Sequence, residues 1–376
     1  MNPQVHVLVV SEQAAPNLLP ALDPNLKPAE AVLVVSSKMK SRACDLEAVF
    51  AESGVRTTRV HLENEHDFAR LQDALLEVAA ARSGQSIALN VSGGTKLMAL
   101  AAQNVAAAAG WQVFYVDLDT DDVIWLGGKV RRQPLTEHLR LRHYLRGYGF
   151  TPGEAIERPQ SSQRHNDLLR TLVAQVGTLE KPLAHLNFLA QQAQDRAQLD
   201  VILSVEQMDS RGLEALLRNF QDAGVLTVDG STLRFANEAE RSFAKGGWLE
   251  THAFRTVSAL TGELGLRDKA ANLVVLDRNR VKNELDVVFM ARNRLFVIEC
   301  KTARMDRSEA PKASDTLFKL SEICRRVGGL GTRGMLASYR RVGEAERRLA
   351  AALGIEVVCG AALARLDEEI RRWVRR

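Results

Sequence analysis

Two apolar runs within residues 281–302, ELDVVFM and LFVIECK, carry the residues best suited to chemistry: Glu284, Asp286, Glu299 and Lys301. The polar break between the runs, residues 291–294, reads as the turn of a β-hairpin. A break centred between Arg292 and Asn293 sets Asp286 opposite Glu299 and Glu284 opposite Lys301. Strand side chains alternate, so these four are expected on one face, with Val287, Ile298 and Cys300 pointing into a core. Carboxylates on strands this apolar are costly to bury without a counter-ion, and a hard divalent cation between Asp286 and Glu299 meets that cost. Lys301 is then placed to hold or polarise an attacking water. The competing reading is a plain amphipathic hairpin whose charges face solvent, with Glu284 and Lys301 as a cross-strand ion pair.

A second stretch, Asn90-Val91-Ser92-Gly93-Gly94-Thr95-Lys96, follows a strand-like run and opens an alanine-rich helical one. Two glycines let backbone N–H groups approach an anion, and a helix N-terminus adds partial positive charge. Thr95 and Lys96 add a hydroxyl and a cation. The GxxxxGK[ST] spacing and GxGxxG are both absent, so neither a Walker A loop nor a dinucleotide fingerprint is present. On residues alone the GGT could equally be a tight turn that caps the helix.

The elements that position these stretches follow from periodicity. Residues 5–10, 31–35, 55–62, 86–91, 111–117 and 123–126 read as strands, alternating with helical patterns at 42–53, 67–82 and 97–109, which predicts a doubly wound, mostly parallel α/β sheet. Ligands of such sheets sit at the carboxyl ends of the strands, where Ser11, Gln13, Ser36 and Lys38 also fall. Residues 127–150 turn basic and aromatic, including Lys129, Arg140, Arg142 and Arg146 beside Tyr144 and Tyr148, with a helix expected within 135–145 and its arginines on a solvated face. A break at residues 151–153 marks a domain boundary. Residues 160–245 are mostly helical, and 204–235 fits a helix-turn-helix with a wing, read here as a spacer in preference to a DNA reader because its second helix is mixed in charge. A helix at 249–260, the hairpin, and alternating strands and helices to 374 predict a mixed sheet of four or five strands. Arg325, Arg326, Arg333, Arg340 and Arg341 cluster there and could meet phosphates or equally form an ordinary charged surface.

The chain has 376 residues, enough for two or three domains, with 46% hydrophobic and 26% charged residues and a net charge of +4. So small a charge confines any nucleic-acid surface to a local patch. Four scattered cysteines without a CxxC pair argue against a zinc ribbon or disulfide framework and favour a reducing cytoplasm. Neither a signal peptide nor a membrane span is read from the sequence.

Asp286 followed by Glu299-Cys300-Lys301 resembles the motif of the PD-(D/E)xK, restriction-endonuclease-like nucleases. That resemblance implies a Mn²⁺ or Mg²⁺ ion on Asp286, Glu299 and the main-chain carbonyl of Cys300, with Lys301 catalytic. It also points to Glu250, on a preceding helix, and Glu284 as further acidic residues of the site. The SGGTK stretch resembles that of CARF domains, Rossmann-like sensors of cyclic oligoadenylates, and carries Ser92, Gly93, Gly94, Thr95 and Lys96 over as ligand residues. Ser11, Gln13, Ser36 and Lys38 follow more loosely, by position. Together the two resemble CARF-nuclease effectors of type III CRISPR defence: a CARF domain over 1–150, a helical, winged-helix-like spacer over 151–245 and a nuclease domain over 246–376. The resemblance implies a homodimer that binds a cyclic oligoadenylate, commonly cyclic tetra-adenylate, and then cleaves DNA or RNA. A CARF and winged-helix transcription regulator with an inert C-terminal domain, and a ring nuclease that degrades the cyclic ligand, are the alternatives.

Overall fold

The computed structural model describes residues 3–127, 131–136, 139–153, 162–302 and 313–376. Lys129 and part of the 135–145 stretch lie outside them. The N-terminal sheet has seven strands: β1 (Val5–Val9), β2 (Glu30–Ser36), β3 (Arg56–Leu62), β4 (Ile87–Asn90), β5 (Gln112–Asp117), β6 (Asp122–Trp125) and β7 (Arg131–Pro134). Their order is β3-β2-β1-β4-β5-β6-β7, with the first five parallel and the last two antiparallel. Helices Lys40–Glu52, Phe68–Ala81 and Lys96–Ala109 link the parallel strands as the periodicity predicts.

Helix Ala15–Leu22 has no counterpart in the sequence reading. Its APNLLPAL carries Pro16 in the first turn and Pro20 inside, so propensity argues against it, yet every residue is buried and packing makes it. The helix expected within 135–145 instead spans Leu141–Gly147. Tyr144 and Tyr148 are core residues, stacked with ring centroids 5.3 Å apart.

After β8 (Thr151–Pro152) come helices Gln163–Ala174 and Val176–Asp195, β9 (Asp200–Ile202), helices Val205–Met208 and Arg211–Asp222, and the hairpin β10 (Leu226–Asp229) and β11 (Thr232–Phe235). The order β10-β11-β9 gives the winged-helix-like arrangement. The C-terminal region sets helix Trp248–Ala259 before β12 (Asp268–Leu276), β13 (Lys282–Ala291) and β14 (Arg294–Lys301), then helix Ala313–Gly328, β15 (Arg333–Ser338), helix Glu344–Ala352, β16 (Ile355–Cys359) and helix Leu366–Arg375. Its sheet, β16-β15-β14-β13-β12-β8, has six strands where four or five were expected, because the segment placed at the domain boundary pairs with β12.

The cores do not follow the domain boundaries. Leu8, Leu18, Phe114 and Tyr144 share one cluster with Leu285, Val288, Leu295, Val297 and Leu336. A second joins spacer residues Leu186, Leu213 and Phe220 to Trp248, Val287, Phe289, Ile298 and Cys300. Burial this continuous, at roughly 25 cal/mol per Å² of apolar surface, ties sensor, spacer and C-terminal sheet into one packed body. No helix among the described residues is long and apolar enough to cross a membrane.

Candidate functional site

The hairpin forms as the sequence predicts. Ala291 pairs with Arg294, and the two turn residues, Arg292 and Asn293, have φ of 48° and 53°, the left-handed pair a two-residue hairpin needs. The β13–β14 ladder runs from there to Val287 opposite Ile298 and stops. Beyond it Asp286 turns its carboxylate onto the strand end, where Oδ2 accepts from the backbone N–H of Cys300 at 2.7 Å. Glu299 lies 2.5 Å from the Lys301 ammonium.

Two expectations need correction. Glu284 does not pair with Lys301: it pairs with Val274 of β12, its side chain is exposed, and Lys301 has taken Glu299. The single alternating face is also broken. Leu285 belongs with Val288 and Met290 to the core shared with the sensor, whereas Val287 belongs to the core shared with the spacer, so alternation reverses at Asp286. Its cross-strand neighbour Asn272 has φ of 49° and is skipped in the β12–β13 ladder. The kink frees the Asp286 carboxylate to meet the Cys300 N–H. Val287, Ile298 and Cys300 are buried as expected.

Glu250, in the first turn of helix Trp248–Ala259, completes the cluster. A π-turn at Phe243–Gly247 delivers that helix, and Gly246, at φ of 155°, lets Thr302 Oγ1 approach within 2.4 Å of where a Cβ would sit. Burial raises the Glu250 carboxyl, helped by the charges of Glu284 and Glu299, while the Asn272 amide donates to it. Asn272 Oδ1 is buried without a partner. Asn272 is the residue that sequence reasoning missed; an asparagine in an apolar strand next to the acidic pair was its only trace. Burial, then Glu299 and Glu250, push Asp286 up to about 8. Burial pulls Lys301 down, but Glu299 and Asp286 outweigh it and hold the ammonium above its ordinary value. Burial likewise raises the Cys300 thiol, which stays neutral.

Hard carboxylate oxygens crowded closely enough to raise the Asp286 and Glu250 carboxyls are the donor set a divalent cation takes. Among the described residues no group of three His, Cys, Asp or Glu side chains is already gathered as a cage. The donors fit such an ion, and Glu299, which meets Lys301 through Oε1, would share its carboxylate between that ion and the ammonium.

At the other end of the fold, a cavity of about 690 Å³ opens at the carboxyl ends of β1, β2, β4 and β5. Ser11, Gln13, Ser36, Lys38, Ser92, Gly94 and Thr95 line it. Gly93 and Lys96 do not: Gly93 packs under Val9, whose carbonyl oxygen lies 2.2 Å from where its Cβ would sit, and Lys96 is exposed on the first turn of its helix. Thr95 caps that helix, accepting from Met98 N–H at 3.2 Å, so capping and cavity lining coexist in one residue. The Ser92 hydroxyl donates to Asn90 Oδ1 at 2.6 Å and accepts from Val116 N–H at 2.7 Å, and Asn90 in turn donates to Asn17 Oδ1 at 3.0 Å. Lys38 is paired with Glu65 at 2.8 Å. Tyr115 is half-exposed on the same wall.

The arginines proposed for phosphate contact are mostly engaged: Arg325 with Glu322, Arg326 with Asp277 and Arg340 with Glu180. The spacer is pinned to the nuclease-like sheet by Tyr339 Oη donating to the Val176 carbonyl at 3.3 Å and Asn187 Nδ2 to Thr302 Oγ1 at 3.2 Å.

A Rossmann-like sheet with a ligand cavity, joined to a mixed sheet with an acidic cluster and a lysine, defines a sensor–nuclease architecture. Family models agree: residues 5–144 match the Card1 CARF domain and residues 237–376 the Card1-like endonuclease domain. The chain belongs to the CARF-domain nucleases of this kind. Among solved structures it is similar to protein VC1899 from Vibrio cholerae, at 27% identity and a TM-score of 0.90, covering 99% of this chain and 98% of that one. Can2 from Sulfobacillus thermosulfidooxidans, solved with cyclic tetra-adenylate, shares the fold at 22% identity and a TM-score of 0.82, covering 99% and 98%. A type III CRISPR defence DNA nuclease activated by cyclic oligoadenylate shares it at 21% identity and a TM-score of 0.57, covering all of this chain and 52% of that one. No curated protein matches the sequence.

Proposed function

We propose that the chain is a cyclic oligoadenylate-activated, metal-dependent nuclease of CRISPR defence, with cyclic tetra-adenylate as its activator. The observation that carries it is the pairing of two sites in one packed body, a polar cavity at the sensor strand ends and a carboxylate–lysine cluster at the end of β14. The half-exposed Tyr115 ring offers a stacking face for a base, and the turn at Ser92–Thr95 offers hydroxyls and backbone to a ribose-phosphate. One such turn per chain is half of a two-fold site for a ring, so the active form is a homodimer.

Asp286, Glu299 and the Cys300 carbonyl would hold Mn²⁺ or Mg²⁺, which supplies Lewis-acid polarisation of the scissile phosphate. Lys301 keeps its proton and offers N–H donors to the attacking water and the phosphate. Glu250, held by Asn272, stands ready to accept a proton or orient a water. The test is to incubate the protein with labelled DNA and RNA, with and without cyclic tetra-adenylate, in Mn²⁺, Mg²⁺ or EDTA, with light scattering for the dimer. Cleavage that persists in EDTA contradicts the metal assignment, and a monomer with and without ligand contradicts the two-fold site.

A further inference from the structure

Two adjacent strands of the nuclease sheet begin at the sensor cavity. β14 starts at Arg294 and β15 at Arg333, and both residues line the cavity together with Leu330 and Gly331. The strands run in parallel register, Phe296 opposite Arg333 and Lys301 opposite Ser338. Gln13 fastens this region to the sensor by accepting from Leu330 N–H at 3.0 Å.

The charge around the cavity raises a difficulty for an anionic ligand. Glu12, Glu65, Asp117 and Asp119 all line it, and the sensor's own lining cation, Lys38, is committed to Glu65. A phosphate brought against that wall needs cations from elsewhere. Arg294 and Arg333 are the cations at hand. The Arg294 guanidinium donates to the main-chain carbonyls of Leu118 and Asp119, neutral partners that leave its charge uncancelled. The Asp119 carboxylate, 3.8 Å away, is 94% exposed and screened by water. Arg333 is half-buried, and its guanidinium has no hydrogen-bond or ion-pair partner among the described residues. A planar fork of N–H donors suits phosphate geometry better than an ammonium does.

We propose that Arg294 and Arg333 are phosphate-contacting residues of the sensor cavity, so that the nuclease half of the chain reads its own activator. The inference rests on the reading of the cavity as a cyclic oligoadenylate site. Arg294 exchanges the Leu118 and Asp119 carbonyls for the ligand, and the Arg333 guanidinium, unpaired among the described residues, takes a phosphate as its partner. The charge is thereby sensed at the start of β14, whose residue Glu299 lies roughly 17 Å further along at about 3.3 Å per residue.

Calorimetric titration of the full chain with cyclic tetra-adenylate tests this, using wild type, Arg333→Gln, Arg333→Lys and Arg294→Gln. Arg333→Gln is expected to weaken binding about ten- to hundredfold while melting like wild type without ligand, since no existing bond is lost. Arg333→Lys recovers part of the affinity. Arg294→Gln weakens binding to a similar degree and also lowers the ligand-free melting temperature, because two main-chain contacts go with it. Wild-type affinity in Arg333→Gln overturns the inference, whatever happens in Arg294→Gln. Absence of binding by wild type itself overturns the reading of the cavity, and this inference with it, so the two failures are distinguishable.

Discussion

The Asp286 carboxylate accepts a hydrogen bond from the backbone N–H of Cys300 at 2.7 Å, just past the last ladder pair of the hairpin. Half-buried there with Glu299 and Glu250 close by, it is pushed up to about 8 by desolvation and by their charges, which favours its protonated form without a cation. A metal ion must displace that proton, so metal affinity tightens as pH rises toward 8 and binding releases a proton. Calorimetry in two buffers of different ionisation heat reads the proton directly. Asp286→Asn should melt at or above the wild-type temperature without metal. Its Mn²⁺-dependent stabilisation, about 2.7 kcal/mol for wild type at a hundred times Kd, should shrink or vanish.

Lys301 should separate from the carboxylates. Its ammonium binds Glu299 rather than a cation site, so Lys301→Ala frees Glu299 and keeps the metal-dependent melting shift. Cleavage should fall by at least about a hundredfold, the usual scale for losing a proton-transfer or charge-stabilising group. A retained rate with a lost metal shift would reverse the two roles.

Thr95 does two things that different substitutions resolve. Thr95→Ala removes the helix cap on Met98 N–H and should cost roughly 1 kcal/mol of stability besides weakening the ligand. Thr95→Ser keeps the cap and should melt like wild type. Thermal denaturation with and without cyclic tetra-adenylate checks both. Gly93→Ala drives a Cβ against the Val9 carbonyl oxygen and should displace the turn, losing ligand binding even where the protein still folds.

The sensor core carries an acid sensitivity of its own. His6 is fully buried against Phe114, ring centroids 5.3 Å apart, and neither ring nitrogen has a hydrogen-bond partner. Burial lowers its pKa from 6.5 to about 3. Between those values the unfolded chain binds the proton and the folded one does not, so this contribution is complete above 6.5 and is lost as pH falls. Its slope approaches about 1.4 kcal/mol per pH unit. His6→Leu should flatten that part of the stability–pH curve, measured by chemical denaturation. An unchanged slope would place the sensitivity elsewhere.

The hairpin was legible because its turn and alternation are local: Arg292 and Asn293 fix the register, and the register fixes which residues face which. The parallel strands were legible for the same reason, as short apolar runs ending in small polar residues. What stayed hidden depends on contacts distant in sequence. Helix Ala15–Leu22 is made by burial against its prolines' propensity. The reversal at Asp286 needs Asn272 across the sheet, and Glu284 was assigned a partner that Glu299 holds. Arg294 read as a turn residue, and only the fold brings it and Arg333 to a cavity more than a hundred residues away in the chain.

Ligand in the sensor is proposed to license cleavage at the Asp286 cluster. The most direct measurement is the rate of cleavage of labelled nucleic acid in Mn²⁺ by wild type and Asp286→Ala, each with and without cyclic tetra-adenylate. Wild type should cleave with the ligand and little without it, and Asp286→Ala should not cleave in either condition. Equal rates with and without ligand, or full activity in Asp286→Ala, would contradict this proposal.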